Sequence, residues 1–117
     1  MAFTFNKLED LLKSYNQRKA LGITPLWCVN HGVTLSIYYR DPDGNQIETQ
    51  VDVFDTSEEA TAYMNTQDYA ENPFGVDFVP EEVEERLRSG EPVKDILKRG
   101  NIGPRDISTV PLIHVQS

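Results

Sequence analysis

Residues 2–5 alternate apolar and polar and predict a short strand. Leu8, Leu11, Leu12 and Tyr15 then follow the i, i+3, i+4, i+7 spacing of one buried helix face, with Lys13, Gln17 and Arg18 on the wet side. Asn6 suits the N-cap of that helix, with Glu9 three residues on in capping-box position, and Gly22 followed by Pro25 suits its end. Pro25 to Val29 is rich in β-forming residues and predicts a second strand. Thr34 to Arg40 alternates strictly, with Leu35, Ile37 and Tyr39 on one face and Thr34, Ser36, Tyr38 and Arg40 on the other. Gln46 to Val53 alternates again. Between them, Asp41-Pro42-Asp43-Gly44-Asn45 is a turn in which Pro42 presets φ and Gly44 supplies a positive φ.

A hairpin closed symmetrically on that turn sets Tyr38 across from Glu48 and Ser36 across from Gln50. Ser36, Tyr38, Glu48 and Gln50 then share a polar face, while Leu35, Ile37, Tyr39, Ile47 and Val51 cover the helix. The expected fold class is α+β: a single βαβββ module over residues 1–55, with a helical and irregular tail over 56–117. In the tail, Ser57 is expected to cap a short helix to about Asn65, and residues 66–79 read as irregular. Pro80 opens a helix through Arg88 that Gly90 ends, and Val93 to Arg99 forms another short one. The tail is too poor in apolar residues for a core of its own, so it packs on the module or on a partner chain.

Composition narrows the function. At 117 residues the chain makes one domain, with little room for a large internal cavity. Eleven basic against nineteen acidic residues give a net charge of −8, which argues against nucleic acid and anionic membranes as partners. No apolar run approaches the roughly 20 residues of a membrane span, and the first residues do not read as a signal peptide. A cytoplasmic location is expected. Cys28 is the only cysteine, which excludes an intramolecular disulfide.

The chemistry-bearing candidates each carry two readings. Glu48 is either a cation ligand in mid-strand or a glutamate on a solvated sheet face. His31, in Asn30-His31-Gly32, is either an acid/base group or a loop histidine. Tyr38 either donates to a developing oxyanion or is a cross-strand aromatic. Cys28 beside Trp27 reads as core. Nothing ties His114 to the rest, and Glu81, Glu82, Glu84 and Glu85 read as a solvated helix face. There is no phosphate-cradling glycine loop and no nucleophile elbow.

The run from Val29 to Glu48, with its histidine-glycine loop, Tyr38-Tyr39-Arg40-Asp41-Pro42-Asp43-Gly44-Asn45 and a glutamate three residues after that asparagine, resembles the C-terminal module of vicinal oxygen chelate proteins. That superfamily holds glyoxalase I, bleomycin-resistance proteins and extradiol dioxygenases, and the resemblance is to the dihydroxybiphenyl or catechol 2,3-dioxygenase-like branch. It implies paired βαβββ modules forming a cup, in which two histidines and a glutamate hold Fe(II), or another divalent metal, for cleavage of a catechol-type ring. Glu48 matches the metal glutamate, Tyr38 a substrate-binding tyrosine, and His31 falls near an acid/base histidine. The resemblance places one metal histidine where this sequence has Met1, and the other in a preceding module that the sequence does not contain. Two expectations follow: a shortened or mis-started, inactive enzyme, or a homodimer that rebuilds the cup. The alternative function is a non-catalytic, bleomycin-resistance-like dimer that binds a small aromatic molecule.

Overall fold

A computed structural model describes residues 2–111; Met1 and residues 112–117, including His114, lie outside the described residues. The chain runs β1 (Ala2–Phe5), α1 (Leu8–Ala20), β2 (Trp27–Asn30), β3 (Thr34–Arg40), β4 (Gln46–Asp52), α2 (Ser57–Met64), α3 (Gln67–Glu71), β5 (Val76–Asp77), α4 (Pro80–Arg88) and α5 (Val93–Leu97), with a 3₁₀ turn at Ile107–Thr109. The first five elements are the predicted βαβββ order. They form one five-stranded sheet with β5, in the order β1-β4-β3-β2-β5. β1 pairs parallel with β4, and the other pairings are antiparallel.

The β3–β4 register is the one the turn dictates. Tyr38 lies opposite Glu48, and Ser36 opposite Gln50. Asp41 braces the turn, its carboxylate accepting from the Asp43 and Asn45 amides at 3.0 and 2.8 Å, and Gly44 takes a φ of 87°.

The main core lies on the α1 side of the sheet. Leu8, Leu11, Leu12 and Tyr15 pack on Leu35, Ile37, Tyr39 and Val51, and Ile47 closes the edge of the cluster. Burial of these side chains is the principal driving force for the module, at about 1.5–3 kcal/mol each. α4 lies beside α1 on this face. Tyr15 donates to Glu81 at 2.7 Å, Asn16 donates to Glu84 at 3.0 Å, and Val83, Ile96 and Leu97 join the core.

Several local expectations are corrected. α1 begins at Leu8 with Lys7 as its cap, and no side chain caps it, so Asn6 is one position too early to reach the first free amides. The cap of α2 is Thr56 rather than Ser57, its hydroxyl accepting from the Glu59 amide at 3.2 Å. Residues 66–79 are not wholly irregular. Thr66 caps the short α3, and Val76–Asp77 adds β5 to the free edge of β2. These two elements escape a periodicity reading because five and two residues are too few to show one.

The second face of the sheet is not wet, as its alternation predicts, but partly roofed. Trp27 and Val29 pack there against Phe74, Tyr38 and Val110 in a second, smaller core, and Ser36 is fully buried. The alternation misleads because the covering residues come from far along the chain. They change the environment in which Tyr38, Glu48 and His31 work.

Candidate functional site

The site lies on the roofed face. β3 presents Tyr38 and β4 presents Glu48 directly across from it. His31 follows β2 in the short connection to β3, where Gly32 takes a φ of 97° and turns the chain. The three candidates are thereby gathered. The His31 Nε2 atom lies 2.8 Å from the Tyr38 hydroxyl. Glu48 stands beside Tyr38 on the same sheet face, its cross-strand partner in the β3–β4 ladder.

The opposite ring nitrogen of His31 settles its tautomer. Nδ1 lies 2.7 Å from the carbonyl oxygen of Phe74, which can only accept, so Nδ1 carries the proton. In the neutral imidazole, Nε2 is then an acceptor aimed at the Tyr38 hydroxyl. That hydroxyl has one proton, and Nε2 is its acceptor. When the imidazole is protonated, Nε2 donates to the Tyr38 oxygen instead. His31 and Tyr38 thus share one hydrogen bond, with Glu48 across the ladder from the phenol.

Burial acts on both His31 and Tyr38. It holds the His31 pKa below its ordinary value of 6.5, against the opposing pull of the Phe74 carbonyl and the Glu48 charge. Arg99 and Arg105 push the same way as burial. The Tyr38 phenol is held well above its ordinary value by burial first, then by the Glu48 carboxylate beside it. At neutral pH the imidazole is therefore neutral and the phenol protonated.

Trp27 walls the site. Its ring stacks on Tyr38 with centroids 5.6 Å apart and meets His31 edge-on at 5.6 Å. Its indole N–H donates to Asp77 at 2.6 Å. Arg105 pairs with the same carboxylate at 2.9 Å and lies over the Trp27 ring. Sequence reasoning passed over Trp27, Asp77 and Arg105. Trp27 faces Tyr38 across the β2–β3 ladder, and that pairing was open to discovery from the alternation. The Asp77–Arg105 pair was not, since it closes across 28 residues of chain.

Other candidates stand elsewhere. Cys28 points to the α1 side, where burial pushes its thiol up to about 12 and keeps it inert. Glu81 binds Tyr15 and Lys19, so it ties α4 to α1 rather than lying free on a solvated face.

The described residues do not fit a metal centre. Among them no three His, Cys, Asp or Glu side chains converge as ligands. Glu48 is the only member of the ligand set implied by the resemblance, and both ring nitrogens of His31 are engaged within the fold. Among the described residues, no helix is long and apolar enough to cross a membrane.

No family model and no solved structure matches the chain. Two curated proteins do. The chain is 50% identical over 95 residues to biphenyl-2,3-diol 1,2-dioxygenase 2 of Rhodococcus globerulus, an alignment covering 81% of the chain and 50% of that protein. It is 45% identical over 98 residues to biphenyl-2,3-diol 1,2-dioxygenase 3 of the same organism, covering 84% and 52%. The chain spans about half the length of the curated relatives it matches. With this identity, and with the βαβββ order and the Tyr38–Glu48 register in place, the chain is a homologue of about half of these biphenyl-2,3-diol 1,2-dioxygenases, extradiol dioxygenases of the vicinal oxygen chelate superfamily.

Proposed function

We propose that this chain is the proton-handling module of an extradiol ring-cleavage dioxygenase acting on a catechol of the biphenyl-2,3-diol type. The observation that carries the reading is the His31–Tyr38 hydrogen bond with Glu48 opposite Tyr38 on the roofed sheet face. A catechol hydroxyl brought to Tyr38 gives its proton to the phenol oxygen as the phenol passes its own to Nε2 of His31. The imidazolium that forms is stabilised by the Phe74 carbonyl on Nδ1 and by the nearby Glu48 charge. Trp27 supplies an aromatic wall beside the proton path. Dioxygen chemistry on the ring requires a divalent metal, Fe(II) in the expected reading, and Glu48 alone does not hold one. The remaining ligands would come from a second module, either further sequence of a longer protein or a second copy of this chain. Among the described residues no strand pairs with the outer edge of β1, and Ala2, Phe3 and Thr4 are exposed there.

The absence of a three-ligand cluster among the described residues favours one rival, a dimer that binds a small aromatic compound without turning it over. One experiment separates the two. The protein is loaded anaerobically with Fe(II), mixed with biphenyl-2,3-diol in air, and followed by the visible absorbance of the ring-opened product, with Trp27 fluorescence reporting binding. Cleavage that falls at least tenfold in Tyr38→Phe supports the proposal. Binding without cleavage supports the rival, and neither binding nor cleavage overturns both.

A further inference from the structure

We propose that Arg99 is a positioning residue that fixes the tautomer of His31, an inference that rests on the proton-handling reading of that histidine. Arg99 is far from the substrate face in sequence and its side chain is 1% exposed. Its guanidinium makes no short bond to a carboxylate. Nη1 donates to the Asn72 carbonyl at 2.6 Å and to the His31 carbonyl at 3.3 Å, and Nη2 donates to the Asp68 carbonyl at 3.0 Å. The Asp68 carboxylate stands farther off at 3.6 Å, and the Tyr63 and Tyr69 rings flank the guanidinium at 5.3 and 5.9 Å.

Two of those carbonyls flank the bond that matters. His31 Nδ1 donates to Phe74, whose carbonyl is two residues beyond the Asn72 carbonyl that Arg99 holds. Asn72 makes the span between them rigid, its amide donating to the Gly75 carbonyl at 2.8 Å and accepting from the Gly75 amide at 2.9 Å. One planar fork therefore grips the backbone of the histidine and the backbone of the loop that carries its acceptor. Taking this arginine's charge out of water is costly, because its ion pair to the Asp68 carboxylate, at 3.6 Å, is longer than its bonds to the main-chain carbonyls. Lysine offers no rigid fork with which to copy it. Asn30 strengthens the same junction, donating to the Leu97 carbonyl at 2.7 Å and accepting from the Gly32 amide at 2.8 Å. With the fork in place the Phe74 carbonyl stays on Nδ1, and Nε2 stays an acceptor for Tyr38.

The test reads the imidazole directly and uses no catechol. Long-range ¹H–¹⁵N correlation spectra at pH 7.5 distinguish the two neutral tautomers, and His114→Asn assigns the signals, since the chain has two histidines. The wild type is expected to show His31 protonated on Nδ1 alone. Arg99→Met and Arg99→Lys, each checked for cooperative unfolding, are expected to show a mixture with at least a fifth of the Nε2–H tautomer. The lysine variant keeps the charge and loses the fork, so the same mixture there assigns the effect to geometry. An unchanged Nδ1–H tautomer in a folded variant overturns the proposal. Failure of both variants to fold also overturns it, by assigning Arg99 to the fold as a whole. A wild-type chain that shows the shift in its variants yet cleaves no catechol leaves the positioning role standing and removes only the dioxygenase reading.

Discussion

His31 and Tyr38 meet through Nε2 and the phenol oxygen at 2.8 Å, and the phenol is the only protein group bonded to that nitrogen among the described residues. Tyr38→Phe keeps the ring that stacks on Trp27 and deletes the partner of Nε2. Leaving a half-buried acceptor unpaired costs about 1–2 kcal/mol, so the urea midpoint is expected to fall with an unchanged m-value. Ring cleavage, if the His31–Tyr38 pair serves it, falls by about 10². A midpoint equal to wild type would mean that water replaces the phenol at no cost, and would place the hydroxyl on the solvent side.

The depressed pKa of His31 makes stability depend on pH with a definite sign. In the unfolded chain the imidazole titrates near 6.5, and in the folded chain it titrates lower, because burial penalises the cation. The contribution is fully present above pH 6.5. As pH falls below that, the unfolded state takes up a proton that the folded state refuses, and stability is lost until the folded pKa is reached. Glu81 is also depressed, but from an ordinary value of 4.5, so its loss begins at lower pH. Chemical denaturation from pH 7.5 to 5.0 is expected to show falling stability in wild type and a flatter profile in His31→Gln. A wild-type stability that rises over that window would reverse the sign of the shift.

Much of this arrangement was open to sequence reasoning. The Thr34–Arg40 and Gln46–Asp52 alternations and the Asp41–Asn45 turn leave one sensible register, because a one-residue slip would move Leu35, Ile37 and Val51 out of the core. That register sets Tyr38 against Glu48 before any coordinates are drawn. The roof was hidden. Phe74 and Val110 pack on Trp27 and Val29 from loops without periodicity, so Ser36 and Tyr38 looked wet when they are not. Arg99 was hidden for another reason. Its acceptors are main-chain carbonyls, which every residue has and no side-chain pattern reveals.

Asp77 is a hinge of the roof, since its carboxylate takes the Trp27 indole N–H and the Arg105 guanidinium together. The Arg105 side chain is 8% exposed, against 58% for Asp77. Removing the carboxylate therefore strands a mostly buried cation and a buried indole donor. Asp77→Ala is expected to cost about 2–3 kcal/mol, and Asp77→Asn less, because the amide oxygen still accepts one bond. Trp27 fluorescence should red-shift in the alanine variant as water reaches the indole. An alanine variant with wild-type stability and emission would show that the Arg105 segment does not seal this face.

Gly75 gives the strictest test of the loop that carries Phe74. Its φ is +119°, a conformation that side chains rarely adopt, and an added Cβ would stand 2.6 Å from both the Asn30 carbonyl oxygen and Val29 Cγ2. The first obstacle is backbone within the β2 ladder, which cannot move without breaking the pairing of Asn30 with Leu35. Backbone strain of about 1–3 kcal/mol adds to the steric clash, so Gly75→Ala is expected to lower stability by more than about 2 kcal/mol. Gly44→Ala provides the contrast. Its φ is +87° but nothing lies within 4 Å of an added Cβ, so only the strain is felt. The two variants differ in a second way. Displacing residue 75 moves the neighbouring Phe74 carbonyl off His31 Nδ1, so the tautomer signal of His31 should change in Gly75→Ala and not in Gly44→Ala. Equal destabilisation by both, with His31 unmoved, would mean that the 72–75 loop yields freely and that the histidine keeps its orientation by some other restraint.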